Sequence, residues 1–277
     1  MLAISNIAWE PSDDEDVARL LNQFRVRAID IAPSKYFPSP RTASDAQVRQ
    51  VREWWAKRDV QITGMQALMF GTPGLNLFGP PPIQDAMLAH LDVISRIGAA
   101  LGATRLVFGS PKSRDRVGLS DQDAVAVATS FFRKLGDIAA AHAVTICLEP
   151  NPKAYGANFM VDSDETARIV KMVDHSAIRM QFDTGAITIN NEDPAAVLGS
   201  YGNLVAHVHA SEPHLAPLGL GNTDHARMSA ALSAALPTHV VCIEMLGSRN
   251  EPSLQSIRRA LEIATHHYRR ANADRCQ

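Results

Sequence analysis

Four side chains of metal-binding type end four successive apolar segments in the second half of the chain. Glu149 lies in "VTICLEP", Asp183 in "IRMQFDTG", His209 in "VAHVHASE" and Glu244 in "HVVCIEML". A carboxylate at the end of a buried segment must be paired, protonated or bound to a ligand. Taken alone, Glu149 or Asp183 is equally well explained as a structural cap or a paired core acid, and His209 is better explained as a hydrogen-bonded core histidine than as a ligand.

Together, the four residues indicate a metal site. Three carboxylates in one buried place raise one another's pKa, and a divalent cation removes that conflict. Oxygen ligands with one imidazole favour a single divalent ion, manganese first, with magnesium, cobalt or zinc as alternatives.

The elements that must position these residues are the last four of eight predicted strands. The strands are predicted at 2–9, 26–33, 60–68, 105–111, 144–150, 178–185, 205–212 and 239–246. Helical patterns lie between them, with predicted starts at a Ser12/Glu15 capping box, at Ser120 and at an Asp162/Glu165 box, and a last helix over 253–271. This alternation predicts an α/β fold, a single (β/α)8 TIM barrel over residues 1–277. An open doubly wound sheet is the alternative, but no glycine-rich dinucleotide motif follows the first strand.

A barrel would bring the four strand ends to one face, where barrel enzymes place their active sites. Two residues earlier in each strand, period-two alternation predicts a second inward layer of Cys147, Gln181, His207 and Cys242. Compact or neutral side chains of this kind could pack or hydrogen-bond beneath a site.

Composition excludes several functional classes. The chain has 277 residues with 27 basic and 29 acidic side chains and a net charge of −2, which argues against nucleic acid as a partner. No apolar stretch is long enough to cross a membrane, and no signal-peptide pattern begins the chain, so we expect a cytoplasmic protein. Three scattered cysteines, Cys147, Cys242 and Cys276, predict reduced thiols.

The order Glu, Asp, His, Glu at consecutive strand ends resembles a known family. The segments "CLEPN", "FDTG", "HVHASEP" and "CIEM", with "APLGLGNTD" after the seventh strand, are similar to the sugar phosphate isomerase/epimerase family of xylose-isomerase-like TIM barrels. That family includes ketose 3-epimerases, hydroxypyruvate isomerase and inosose dehydratase. The similarity runs from about residue 100 to residue 250, and the first third matches in architecture only.

The resemblance implies a metal-dependent isomerase or epimerase. Glu149, Asp183, His209 and Glu244 would hold one divalent metal, and the two glutamates would act as acid and base next to a substrate carbonyl, through an enediolate. The chain departs from ketose 3-epimerases at Ala186, where they carry a histidine, and at Leu215, where they carry an arginine that holds the substrate. These departures argue against a free-ketose 3-epimerase in the strict sense. The expected substrate is a small sugar or sugar derivative, with a sugar phosphate possible but not favoured.

Several residues near the strand ends are candidate substrate contacts, each with plain packing or a solvated loop as the alternative. The candidates are Trp9, Phe37, Gln66, Lys112, Asn151, Lys153, Tyr155, Glu212 and His214. Lys112 belongs to the run "SPKSRDR", for which a solvated charged loop is favoured over a phosphate-binding loop.

Three other functions stay open at this point. A lyase that dehydrates a polyol or keto-sugar would share the proton-abstraction step with an isomerase. An apurinic endonuclease needs more histidine and aspartate ligands than this chain offers. It also needs a basic surface that faces DNA, which the slightly acidic charge balance argues against. A non-catalytic barrel has only Ala186 and Leu215 in its support. A homodimer is compatible with all of these functions.

Overall fold

The computed structural model describes residues 1–116, 118–248 and 250–269, and in them eight parallel strands close into a barrel in chain order. The strands are β1 (Leu2–Ser5), β2 (Ala28–Ile31), β3 (Gln61–Met65), β4 (Arg105–Phe108), β5 (Thr145–Leu148), β6 (Ile178–Asp183), β7 (Val205–Ser211) and β8 (Val241–Glu244). Each observed strand lies inside a predicted one, which confirms the predicted (β/α)8 fold. The single-domain boundary at residues 1–277 stays a prediction.

Helices connect the strands and surround them. They are α1 (Asp14–Gln23), α2 (Pro33–Tyr36), α3 (Asp45–Ala56), α4 (Pro81–Leu101), α5 (Asp121–Ala141), α6 (Ser163–Val173), α7 (Thr184–Ile189), α8 (Pro194–Tyr201), α9 (His225–Ala235) and α10 (Ser253–Tyr268). The end of the predicted last helix lies outside the described residues. No helix in the described ranges is long and apolar enough to span a bilayer.

The helix starts show where local sequence signals succeed and where they fail. Ser120 accepts a hydrogen bond from the backbone N–H of Asp123, and Asp162 accepts one from that of Glu165, as predicted. The Ser12/Glu15 capping box is wrong, because a 3-10 turn over Pro11–Asp13 moves the start of α1 to Asp14. A complete capping box, which the sequence analysis missed, is formed by Ser44 and Gln47 at α3.

Strand register fixes which residues share a level of the barrel. Asp183 is aligned with His209 across β6 and β7, Gln181 is aligned with His207 one step below, and Ser211 is aligned with Glu244 across β7 and β8. The strand ends therefore meet at one face, as the closed barrel requires. Cys147 and Cys242 are buried, free thiols, and Cys276 lies outside the described residues.

Candidate metal centre

Four side chains converge at the carboxyl-terminal face of the barrel. Glu149, Asp183, His209 and Glu244 each offer a ligand atom within 4.8 Å of the others'. The Nδ1 atom of His209 lies 3.1 Å from Glu244 Oε2 and 3.5 Å from Glu149 Oε1. The imidazole is fully buried and the carboxylates are nearly so. The predicted ligands are thus brought together in space, although they are up to 95 residues apart in sequence.

Asp183 is held rigidly by its neighbours. It is the N-cap of α7, where its Oδ1 accepts a hydrogen bond from the backbone N–H of Ala186 at 2.6 Å. The hydroxyl of Ser211 donates to its Oδ2 at 2.7 Å. Burial, followed by the negative charges of Glu244 and Glu149, raises the pKa of Asp183 to about 7. A site that holds this much negative charge away from water is complementary to a cation.

Unpaired atoms at the same place support that interpretation. Glu149 Oε1 and His209 Nε2 are buried and have no hydrogen-bond partner among the residues that the structure describes. Burial alone would lower the pKa of His209, but the carboxylates of Glu244 and Glu149 raise it well above its ordinary value. These residues therefore fit one divalent cation, which would satisfy the carboxylates in place of a proton.

The second carboxylate oxygen of Glu149 is held by a hydrogen bond from a neighbouring side chain. Asn151 Nδ2 donates to Glu149 Oε2 at 3.1 Å, and Arg114 Nη2 donates to Asn151 Oδ1 at 2.5 Å. Gly109 makes room for this carboxylate, because a Cβ atom at that position would lie 1.8 Å from Glu149 Oε2. Asn151 was predicted to line a substrate pocket, and here it contacts a candidate ligand directly.

Glu244 has a similar partner. Gln66, at the end of β3, donates through Nε2 to Glu244 Oε1 at 2.5 Å. Its own Oε1 is buried and has no hydrogen-bond partner in the described part of the chain. Gln66 was predicted as a substrate contact, and that free acceptor remains open to a hydroxyl group.

Tyr155 and His214 lie together beside the carboxylates. The backbone N–H of His214 donates to the Tyr155 hydroxyl at 2.7 Å, and the two rings are 5.5 Å apart. Burial, with the charges of Asp183, Glu244 and Glu149, raises the pKa of Tyr155. Both residues were predicted as substrate contacts. The effect of the three carboxylates on the pKa of Tyr155 indicates that its hydroxyl group lies near the candidate metal centre.

The Glu212 carboxylate is hydrogen-bonded to groups of the loop that follows β7 and to α9. Its oxygens accept hydrogen bonds from the backbone N–H groups of Gly219 at 2.8 Å and Thr223 at 3.0 Å, and His225 Nε2 lies 3.0 Å away. His225 Nδ1 in turn lies 2.6 Å from the Tyr268 hydroxyl. This carboxylate fixes the loop that follows β7. Its predicted contact with substrate is not tested by these bonds.

Trp9 and Phe37 are buried in the first part of the barrel. Trp9 Nε1 donates to Asp14 at 2.7 Å, and its ring packs edge-on against Trp55 with the centroids 6.3 Å apart. Trp55 packs in the same way against Trp54 at 4.9 Å. Phe37 is 5% exposed and lies beside Tyr36. Their predicted role as apolar walls for a sugar stays a prediction.

The basic run after β4 is not a uniformly solvated loop. Lys112 is exposed, as is Lys153 in the next loop, and Arg116 pairs with Asp121 at 2.9 Å. Arg114, in contrast, is completely buried. The favoured interpretation of a solvated run is therefore wrong for Arg114, because its side chain turns inward to Asn151.

A second polar cluster lies one level below the candidate centre. Asp30 Oδ2 and His207 Nε2 are 2.6 Å apart in a fully buried pair, and Thr63 donates to Asp30 Oδ1 at 2.9 Å. The His207 and His209 rings are 5.2 Å apart. Sequence reasoning missed Asp30, although "VRAIDIAP" carries the same signal as "VTICLEP", a carboxylate inside an apolar strand.

Comparisons with known proteins agree with this geometry. A family model described as a xylose isomerase-like TIM barrel matches residues 19–266. Over 50 residues the chain is 36% identical to inosose dehydratase of Clostridium beijerinckii, a match that covers 18% of this chain and 17% of that protein.

Solved structures resemble the whole barrel. D-psicose 3-epimerase with D-tagatose from Clostridium cellulolyticum H10 superposes with a TM-score of 0.79 at 18% identity, covering 96% of this chain and 99% of that one. L-ribulose 3-epimerase gives a TM-score of 0.77 at 15% identity, with 96% and 94% covered. The 3-keto-D-glucoside 4-epimerase of E. coli gives 0.76 at 17% identity, with 96% and 98% covered. At these identities the likeness establishes a shared fold.

Proposed function

The chain belongs to the xylose isomerase-like TIM barrel family, and we propose that it is a divalent-metal-dependent isomerase or epimerase of a sugar or sugar derivative. The observation that carries this proposal is the buried convergence of Glu149, Asp183, His209 and Glu244. The 3-epimerase and 4-epimerase structures that share its fold support the reaction class.

In this proposal the four residues hold one metal ion, with manganese the first choice. When bound, a divalent cation would polarise the substrate carbonyl and stabilise the negative charge that develops on it. Glu149 and Glu244 move the proton. Glu149 directly follows β5 and Glu244 ends β8, and each has a carboxylate oxygen within 3.5 Å of His209 Nδ1.

One glutamate takes a proton from the carbon next to the carbonyl, and the other returns it. Return to the opposite face of the same carbon gives an epimer, whereas return to the neighbouring carbon gives an aldose–ketose pair. Asn151 and Gln66 each fix one oxygen of these glutamates and so keep the other at reacting distance.

The substrate contacts set this chain apart from ketose 3-epimerases. Ala186 is buried and donates its backbone N–H to Asp183, and the Leu215 carbonyl accepts from the backbone N–H of Leu246 at 2.9 Å. Neither side chain can bind a hydroxyl group. We therefore propose a sugar derivative recognised through Tyr155, His214 and Gln66.

The test is solvent-deuterium exchange into a panel of ketoses, keto-sugars and their phosphates by the manganese-loaded protein. We expect about one equivalent of metal per chain, and exchange that falls at least a thousandfold in Glu244→Gln and in Glu149→Gln. Glu53→Gln, on the exposed surface of α3, is the matched control. Near wild-type turnover in Glu244→Gln would refute the acid–base assignment. Two or three bound zinc ions per chain would instead indicate a hydrolase of the apurinic-endonuclease type.

A lyase that dehydrates a polyol or keto-sugar is the second candidate. The 50-residue similarity to inosose dehydratase favours it. The proton abstraction would be the same, but a hydroxyl group would then leave instead of a proton returning. Formation of a dehydrated product without deuterium in recovered substrate would select this reaction over isomerisation.

A further inference from the structure

The amino-terminal end of the barrel, opposite the candidate metal centre, contains a cavity of about 580 Å³. Its walls come from the first residues of the strands and the turns before them, including Gln61 of β3, Arg105 of β4 and Val205 of β7. Nothing in the proposed reaction uses this end of the molecule.

One level of the barrel interior carries small side chains on β1, β2 and β8. TIM barrels usually fill this level with bulky branched side chains. Here Ala3, Ala28 and Cys242 form a small buried cluster of their own, separate from the main core. The cavity reaches inward as far as His207, the partner of the buried Asp30.

The lining of the cavity is basic and rich in hydroxyl groups. Arg105 and Arg179 both line it, together with His207 and His239, and no aspartate or glutamate of the described ranges does. Five hydroxyl side chains complete the wall: Thr63, Thr104, Thr145, Ser176 and Thr238. Guanidinium and hydroxyl donors around one space form a typical oxyanion environment.

Neither arginine has an acidic partner among the described residues. Arg105 donates to the backbone carbonyls of Ala206 and Thr104, both at 3.2 Å, and Arg179 donates to the carbonyl of Asn203. Both charges act on the interior, since they oppose the rise in the pKa of the Cys147 thiol that its burial causes. Asp30 acts on the same thiol in the opposite direction, but this buried carboxylate is itself paired with His207.

His239 adds an unsatisfied atom. Its Nε2 lies 3.1 Å from the carbonyl of Val205, so this nitrogen carries the proton. Its Nδ1 is buried and has no partner in the described structure. A neutral imidazole in this tautomer presents an acceptor at Nδ1, which matches the remaining O–H of a monohydrogen phosphate.

We propose that this cavity is a binding site for a phosphate group, either free phosphate or the phosphate of a small phosphomonoester. Two guanidinium groups and several hydroxyls offer more donors and charge than one carboxylate can use, whereas a phosphate dianion has terminal oxygens for them all. The site is distinct from the metal centre, from which the layer of Gln181, His207 and Cys147 separates it.

The test is isothermal titration of the manganese-loaded protein with inorganic phosphate, and separately with glycerol 3-phosphate, at constant ionic strength. We expect one phosphate per chain, and at least tenfold weaker binding in Arg179→Gln and in Arg105→Gln. Arg133→Gln is the matched control, because Arg133 also donates only to backbone carbonyls in the described structure, but on the surface of α5. Tighter binding of the ester than of free phosphate would identify a phosphomonoester as the ligand, and equal binding would identify the phosphate group alone.

Phosphate could also bind at the metal centre, so a second variant separates the two sites. The double variant Glu244→Gln/His209→Asn removes metal ligands and should retain phosphate binding. Binding that is lost there but kept in both arginine variants would overturn the proposal, as would no binding at 10 mM phosphate. Arg179→Lys keeps the charge and should bind phosphate more tightly than Arg179→Gln, which separates a binding role from one in folding.

Discussion

Arg114 and Glu149 are joined through Asn151, whose amide accepts from the buried guanidinium and donates to the carboxylate. Burial lowers the pKa of Arg114 to about 10, so the guanidinium is charged at neutral pH. The amide is therefore held in one orientation, and Glu149 is held with it.

We predict that Arg114→Met lowers the exchange rate or the manganese affinity roughly ten- to a hundredfold, the range typical when partners that orient metal ligands are removed. Steady-state kinetics and metal titration would measure this effect. Arg116→Met, which breaks an exposed ion pair two residues away, should change neither quantity. If Arg114→Met, like Arg116→Met, changed neither the exchange rate nor the manganese affinity, Arg114 would have no part in orienting Glu149.

Gly109 allows a direct steric test of the centre. A methyl group there would overlap Glu149 Oε2, at 1.8 Å, so Gly109→Ala must displace the carboxylate or the strand end. We expect loss of manganese binding by at least tenfold, measured by titration. Gly199→Ala in α8 meets no atom within 4 Å and should bind metal normally, with a stability gain of up to about 1 kcal/mol from its helix propensity. Normal metal binding by Gly109→Ala would place the Glu149 carboxylate elsewhere.

The Asp30–His207 pair should be one of the main polar determinants of stability. Removing one partner of a buried ion pair leaves the other uncompensated, at a cost of about 3 to 5 kcal/mol. Asp30→Ala should lower the free energy of unfolding by this amount in urea titrations. Asp16→Ala breaks the exposed pair with Arg19 and should cost less than about 1 kcal/mol. If Asp30→Ala lowered the free energy of unfolding by less than about 1 kcal/mol, the Asp30–His207 pair would contribute little to stability.

Glu212 should make stability depend on acid pH. Burial would raise its pKa, but His225 and the N–H groups of Thr223 and Gly219 lower it to about 2. A carboxyl group with a lowered folded pKa stabilises the fold above its unfolded value of roughly 4.5, by about 3 kcal/mol here, and loses this contribution as pH falls towards 2.

The difference in the free energy of unfolding between wild type and Glu212→Gln should therefore become smaller as the pH falls from 6 to 3. Urea titrations at pH 6, 4.5 and 3 would measure this difference, with Glu53→Gln as the control for removal of a charge. A constant difference between wild type and Glu212→Gln across this range would contradict the assignment.

The sequence was sufficient for the barrel because eight compact, largely apolar runs alternate with helical patterns, and the last four runs end in a polar residue. The same pattern placed Glu149, Asp183, His209 and Glu244 together, since parallel strands in a closed barrel end at one face. It could not reveal the partners of these residues. Arg114 lies in a charged loop segment whose inward turn depends on Asn151, and the pairing of Asp30 with His207 joins β2 to β7 across the barrel.

Local signals also failed where the backbone departed from a simple helix start. Pro11 begins a 3-10 turn, so Ser12 donates to Asp13 instead of capping α1. The lower cavity had no sequence signal, because its lining comes from residues that are distant from one another in the chain, such as Gln61 of β3, Arg105 of β4 and Val205 of β7.

The three tryptophans of the chain form one contiguous group, in which Trp55 contacts both Trp9 and Trp54. All of the indole fluorescence therefore originates in the sector formed by β1 and α3. An emission change on heating or in denaturant therefore reports directly on the packing around these three indoles. Events at β5 to β8, where the candidate ligands lie, would need an introduced fluorophore to be seen by the same method.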